Sequence, residues 1–211
     1  MRIAVCDVGI GNLRSVERAL HAATIGRRVD VEVTGDPARV QSADRLVMPG
    51  QGAFGACTRA LAGALGDAVR AYVGTGRPYL GICLGLQVLF GSSEESPGCA
   101  GLGLLEGSVV RLASGVDEAT GGRLKIPHMG WNQAEPEAAN RGLLANEARH
   151  YYFVHSFVVV PRDRSVVAAT TDYGGARFVS AVSHENVFAC QFHPEKSQRA
   201  GIALLERFVA S

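Results

Sequence analysis

Pro78-Tyr79-Leu80-Gly81-Ile82-Cys83-Leu84-Gly85-Leu86-Gln87 reads as a buried strand over Tyr79 to Ile82, a sharp turn at Cys83 and a helix beginning at Leu84. Glycine stands two residues before the cysteine and two after it. A chain that passes at once from strand to helix needs room on both sides of the turn, and a missing Cβ supplies it. Such an elbow lifts the side chain at its apex clear of both elements, an arrangement that presents a nucleophile. Here the nucleophile is a thiol. The free N–H groups and positive dipole end of the helix beginning beside it favour the thiolate. The competing interpretation is a core cysteine in a buried strand, since free cysteine is among the most buried residue types. Catalysis also requires a base.

The rest of the chain frames this elbow in alternating elements. Ile3 to Cys6 is a short apolar strand, followed by the glycine-rich turn Asp7 to Asn12. Asn12 can cap a helix with Leu13, Val16 and Leu20 on one face. Val29 to Val33 alternates as a second strand, and Leu46 to Met48 is a third, ended by Pro49. Thr58 to Val73 is expected as one long, alanine-rich helix before the strand at Tyr79. Strands separated by helices without hairpin signals indicate an α/β fold with a largely parallel sheet and helices on both faces.

After Ser92 the pattern changes. Strands are expected at Ser108 to Leu112, Ile126 to Gln133, Tyr151 to Val160, Val166 to Thr170, Phe178 to Val182 and Val187 to Gln191. With little helical patterning between them, they should add mixed or antiparallel strands to the sheet. A final helix, Gln198 to Ala210, carries Ile202, Leu205, Phe208 and Val209 on its apolar face. Nothing resembles a linker, so residues 1–211 are expected to form a single domain.

Composition removes several function classes. A formal charge of +1 makes no electrostatic case for nucleic acid or an anionic membrane. No apolar run approaches the ~20 residues that span a bilayer, and the N-terminal apolar stretch is too short for a signal peptide. The five cysteines are scattered without a Cys-x-x-Cys pair, which suggests neither a disulfide framework nor a zinc ribbon. A cytoplasmic setting is expected.

Three glycine loops differ in meaning. Gly9-Ile10-Gly11 begins like a dinucleotide fingerprint, but Arg14 stands where the third glycine belongs. Gly50-Gln51-Gly52-Ala53-Phe54-Gly55 matches Gly-x-Gly-x-x-Gly after a strand, yet that strand is the third and no acidic residue follows to hold a ribose. An oxyanion hole suits it better, because small residues let backbone N–H groups approach a developing negative charge. A plain strand-to-helix turn is the alternative. The third loop is the elbow, where the Leu84 N–H is the natural second oxyanion donor.

Near the C-terminus stands Phe188-Ala189-Cys190-Gln191-Phe192-His193-Pro194-Glu195. A strand delivers His193, the side chain suited to exchanging a thiol proton near neutrality. Pro194 stiffens the turn. Glu195 could hydrogen-bond the imidazole and hold its tautomer. His-x-Glu could instead supply two metal ligands, but no third has suitable spacing, so no metal is assigned. A structural histidine is the remaining alternative. His21, His150 and His184 lie at positions with nothing to raise them.

Cys83 between its glycines, His193 and Glu195 in His-Pro-Glu, and the loop Pro49-Gly50-Gln51-Gly52 together resemble the class I glutamine amidotransferases, in order along the whole chain. Within them, Lys125-Ile126-Pro127-His128-Met129-Gly130-Trp131-Asn132 is similar to a signature of the glutaminase subunits of imidazole glycerol phosphate synthase. The Asp7 to Leu13 and Tyr151 to Phe157 segments share that similarity. The resemblance implies that Cys83 attacks the side-chain amide of L-glutamine and that His193, oriented by Glu195, protonates the departing ammonia. It implies an oxyanion held by backbone N–H groups of Gly50, Gln51, Gly52 and Leu84. Gln87, Glu95 and the backbone of His155, Ser156 and Phe157 would bind the substrate.

The resemblance also implies a partner, a (β/α)8-barrel cyclase that receives the ammonia and makes imidazole glycerol phosphate and aminoimidazole carboxamide ribotide. Pro127, Met129 and Trp131 are expected to contact it, with Gly9, Gly11 and Asn12 as a second contact. No cofactor is implied. One departure is visible, since the oxyanion loop of the family is more familiar as Pro-Gly-Val-Gly and Gln51 replaces the valine. A glutaminase serving another synthase, such as those of anthranilate or aminodeoxychorismate, is an alternative that the Pro127 to Asn132 segment opposes. A non-catalytic binding protein on the same fold is another, opposed by the intact Cys, His and Glu.

Overall fold

In the computed structural model, which describes residues 1–117 and 120–211, the chain alternates strand and helix through its first half. β1 (Arg2–Cys6) leads to α1 (Leu13–Ala23), β2 (Asp30–Thr34), α2 (Pro37–Gln41) and β3 (Arg45–Met48). Then come α3 (Phe54–Ala60), α4 (Ala64–Val73), β4 (Tyr79–Ile82) and α5 (Leu84–Gln87). The second half is β-rich: β5 (Gly107–Arg111), β6 (His128–Pro136), β7 (Arg149–His155), β8 (Phe157–Pro161), β9 (Val167–Tyr173), β10 (Ala176–His184) and β11 (Val187–Cys190). Helix α6 (Gln198–Ala210) closes the chain.

The strands run β2-β1-β3-β4-β11-β10-β9-β6-β7, with β8 pairing β5 and β10 off this path. β2, β1, β3, β4 and β11 are mutually parallel, and the later additions are antiparallel. Fully buried strands such as β4 need apolar cover on both faces. On one face α1 and α6 supply it, through Val16, Leu20, Leu204, Leu205 and Phe208. On the other, α2 to α5 supply it, through Val40, Phe54, Cys57, Val69, Tyr72 and Leu86. The α/β class, the parallel half, the antiparallel additions and the helices on both faces agree with expectation.

Three expected elements differ. The helix over Thr58 to Val73 is two helices, because Gly63 takes φ +81 and a Cβ on Gly66 would stand 2.0 Å from the Leu61 carbonyl. The strand over Tyr151 to Val160 breaks at Ser156, where β7 continues along β6 while β8 turns to β5 and β10. The helix after Cys83 ends at Gln87, a single turn, so its dipole is small and individual N–H groups matter more. One helix escapes the apolar pattern altogether. α2 is announced by Asp36, whose carboxylate accepts the Ala38 N–H at 2.9 Å, and by Pro37 in the first turn.

The C-terminal ends of β1, β3, β4 and β11 lie side by side and carry the Asp7–Asn12 loop, the Pro49–Gly52 loop, Cys83 and Gln191 to His193. In an open parallel sheet the crevice beyond those ends is where ligands bind.

Candidate active site

Cys83 sits at φ +54, a left-handed conformation that costs a non-glycine residue roughly 1–3 kcal/mol. Its surroundings over-determine it. The Cys83 N–H donates to the Cys190 carbonyl at 2.7 Å, the Leu86 and Gln87 N–H groups return to the Cys83 carbonyl, and the Tyr79 hydroxyl donates to the Gly85 carbonyl at 3.0 Å. Both flanking glycines are required. A Cβ on Gly81 would lie 2.5 Å from the Gly85 carbonyl oxygen, and one on Gly85 would lie 1.9 Å from that of Met48. The sulfur opens into a cavity of about 390 Å³ lined by Cys83, His193, Gln87, Glu95, Gln51 and Phe157, among others.

His193 is held from behind. Its Nδ1 pairs with Glu195 Oε1 at 2.7 Å, its N–H donates to the Tyr152 carbonyl, and its own carbonyl accepts the Ser197 hydroxyl at 2.6 Å. Ser197 Oγ also accepts the Tyr152 N–H at 2.9 Å, tying β7 to the turn after His193. Because the carboxylate accepts, Nδ1 carries a proton and Nε2 is the ring nitrogen left for a second partner. Nε2 is buried and makes no hydrogen bond of good geometry, yet the Cys83 sulfur is near enough for its charge to act on the ring. Burial alone pulls the imidazolium down. The negative sulfur and the Glu195 carboxylate outweigh it and push His193 up to about 10.

The oxyanion donors are placed differently from expectation. Gly50, Gln51, Gly52 and Leu84 do lie together, but the Leu84 N–H donates to the Gly50 carbonyl at 3.4 Å. The peptide is planar and trans, so with the Gly50 oxygen facing Leu84 the Gln51 N–H points away. These groups form no open oxyanion hole in this conformation. A Cβ on Gly11 would stand 3.2 Å from Gln51 N, and one on Gly52 would stand 3.5 Å from Ile10. The Gly9–Asn12 loop therefore rests against the Gly50–Gly52 loop.

Gln87 is buried rather than exposed on its helix. Its Nε2 lies 3.1 Å from the Phe157 carbonyl and 3.1 Å from Gln191 Oε1. Glu95 lines the cavity, and its Oε2 accepts the Phe54 N–H at 2.7 Å, capping the start of α3. His155, Ser156 and Phe157 line the cavity as well. The Phe157 carbonyl, however, is already occupied by Gln87 and by His155 Nδ1 at 3.1 Å. Pro127 is exposed and also lines the cavity. Met129 and Trp131 face outward at 61% and 48% exposure, Gly9 is exposed, and Asn12 caps α1 through Ser15.

Three groups were missed. Gln191 donates to the Cys83 sulfur at 3.4 Å, and its only signal was a polar residue ending an apolar strand. Lys196 lines the cavity and lies over the Tyr152 ring at 5.8 Å. His128 Nδ1 pairs with His155 Nε2 at 3.1 Å, and burial holds the two rings down, to about 4 and about 3. Among the described residues no cluster of three or more His, Cys, Asp or Glu could hold a metal, and no helix is long and apolar enough to cross a membrane.

The profile of glutamine amidotransferase class-I matches residues 4–211. The imidazole glycerol phosphate synthase subunit HisH of Syntrophotalea carbinolica is 49% identical, covering 98% of each chain. Its counterpart from Aquifex aeolicus is 47% identical over 99% of this chain and 96% of its own. That from Pyrococcus furiosus is 44% identical over 98% and 97%. Among solved structures, PurLQS from Thermotoga maritima superposes with a TM-score of 0.74 at 18% identity, covering 99% and 97% of the two chains. A glutamine amidotransferase superposes at 0.73 and 22% identity with the same coverage.

Proposed function

The chain belongs to the class-I glutamine amidotransferases, among the HisH subunits of imidazole glycerol phosphate synthase, and on that premise we propose how it hydrolyses L-glutamine and for whom. Cys83, His193 and Glu195 act as the triad. The thiolate of Cys83 forms a bond to the side-chain carbonyl carbon of glutamine while the π pair moves to oxygen. When that pair returns, the carbon–nitrogen bond breaks and His193 Nε2 gives its proton to the leaving nitrogen, which departs as ammonia. His193, now neutral, takes a proton from water as the water oxygen attacks the thioester. The sulfur leaves with its electron pair, releasing glutamate and restoring the thiolate–imidazolium pair. Glu195 keeps Nδ1 protonated throughout. The Cys83 sulfur and Glu195 together raise His193 to about 10 against the effect of burial, which keeps a proton on the ring for the leaving nitrogen.

What supports this most is one observation: the sulfur at a left-handed elbow and the imidazole backed by Glu195 open on a single cavity, although their residues lie far apart in the chain. Glu95 and the Oε1 of Gln87, the polar atom of that side chain left unengaged by Phe157 and Gln191, would take the amine end of the substrate, the carboxylate of Glu95 pairing with its ammonium. Turning the Gly50–Gln51 peptide would withdraw the Gly50 carbonyl and offer the Gln51 N–H beside that of Leu84, completing an oxyanion hole. Glycine at 50 and 52 permits the turn. Gln51 keeps the N–H that this requires.

The ammonia serves a (β/α)8-barrel cyclase, which makes imidazole glycerol phosphate and aminoimidazole carboxamide ribotide for histidine synthesis. Met129 and Trp131 form the contact with it, assisted by the Gly9–Asn12 loop that leans on the oxyanion loop. Ammonia passed directly between subunits avoids protonation in bulk water, so the peptide turn belongs under the partner's control. The test is glutamate production with and without the cyclase and its ribotide ligand. Turnover should be low alone and rise strongly in the complex, whereas equal rates would contradict the scheme.

A further inference from the structure

We propose that Gln191 is a hydrogen-bond donor to the attacking sulfur, oriented for that purpose by the Phe157 carbonyl; the proposal rests on Cys83 being the nucleophile. Gln191 is fully buried and follows Cys190, whose carbonyl accepts the Cys83 N–H at 2.7 Å. Pairing of the elbow with β11 therefore brings residue 191 beside the sulfur. The Gln191 Nε2 lies 3.4 Å from Cys83 Sγ, and its Oε1 lies 3.1 Å from Gln87 Nε2.

A side-chain amide can usually exchange its oxygen and nitrogen by a half turn, so its polarity needs an anchor. Here the anchor is a backbone carbonyl, which can only accept. Gln87 must turn Nε2 toward Phe157 O, at 3.1 Å. The other N–H of that nitrogen then meets Gln191, which must turn its oxygen toward Gln87. That leaves the Gln191 N–H groups facing the sulfur. The reversed arrangement would set N–H against N–H and oxygen lone pairs against a thiolate. His155 Nδ1, 3.1 Å from the same carbonyl, takes its second lone pair and keeps the anchor from swinging.

A donor aimed at sulfur favours the charged thiolate over the neutral thioester sulfur. It therefore acts at two points of the cycle: on the sulfur before attack, and on the sulfur as it leaves the thioester. A glutamine that merely filled space would do neither.

The test is the pH profile of Cys83 alkylation by iodoacetamide in the full chain, with the modified residue identified by peptide mass. Gln191→Met keeps the size and removes the donor, and Gln191→Glu keeps the shape and sets a carboxylate against the sulfur. In Gln191→Met the rate at the acid end should fall about tenfold, equivalent to a displacement of one pH unit, and should converge with the parent at the alkaline end. Gln191→Glu should be displaced further, and it carries the test if the methionine variant does not fold. A profile superimposable on the parent, or slowing by one factor at every pH, would overturn the proposal. Persistent glutamine hydrolysis in Cys83→Ala would instead remove the nucleophile itself and this inference with it. An unmoved profile in a chain whose Cys83 is essential would remove Gln191 alone.

Discussion

His193 and His155 line the same cavity and are almost equally hidden, at 1% and 6% exposure, yet their proton affinities are displaced in opposite directions. His193 rises to about 10, while His155 falls to about 3 and its neighbour His128 to about 4. Burial opposes the imidazolium at all three. Only His193 has anions facing it, the Cys83 sulfur on one side and Glu195 on the other, and they reverse the sign. His155 meets another imidazole and a carbonyl instead. A hidden histidine is thus an acid or a fixed neutral spacer according to its neighbours.

The comparison breaks most sharply at Cys83. Cys83→Ala should lower glutamine turnover by at least about 10⁴-fold while the chain still folds. In the same variant the His193 ring, followed by NMR, should titrate well below about 10, because its largest raising influence is gone. A ring still titrating near its parent value would mean that the sulfur is not its counter-charge. Glu195→Gln comes next. It should lower kcat by about 10²- to 10⁴-fold with little change in KM. It should also lower the His193 titration less than Cys83→Ala does, since the carboxylate is the smaller influence.

The neutral side of the comparison predicts smaller effects. His155→Phe removes one donor from the Phe157 carbonyl, loosening Gln87, and should raise KM about tenfold with kcat changed less. It also tests the sign of the titration. Unfolded, these histidines bind protons near pH 6.5, whereas folded they wait until about 4 and about 3. The unfolded state holds more protons in that window, so stability is lost as pH falls through it. Urea unfolding at pH 7 and about 5 should show a shallower loss in His155→Phe than in the parent. Smallest of all, Trp131→Ala on the outward face of the strand that carries His128 should change the stability of the isolated chain by less than about 0.5 kcal/mol. It should nevertheless weaken stimulation by the cyclase, and unchanged stimulation would move the contact elsewhere.

Much of the site could be read from neighbouring residues. Gly81 and Gly85 announced the elbow because each would place a Cβ against a backbone oxygen. Asn12 announced the start of α1, and the apolar spacing from Gln198 gave α6 its observed bounds. The failures have different causes. Gly63 interrupts a helix that alanine content favours, and Ser156 ends a strand whose apolar run continues, because two different partner strands wait on either side. The Gly50 carbonyl occupies the Leu84 N–H through a contact that no pattern of residue types encodes.

What the sequence determined by itself is local: where the chain turns and which face of a helix is apolar. These follow from steric and hydrophobic rules that act within a few residues. What only the tertiary structure decided is polarity and proton affinity. The donor reaching Cys83 comes from 108 positions away, and the carbonyl that orients it lies 70 positions beyond Gln87. Electrostatic and hydrogen-bond energies depend on distance and direction through space, and those are set once the strands have chosen their neighbours.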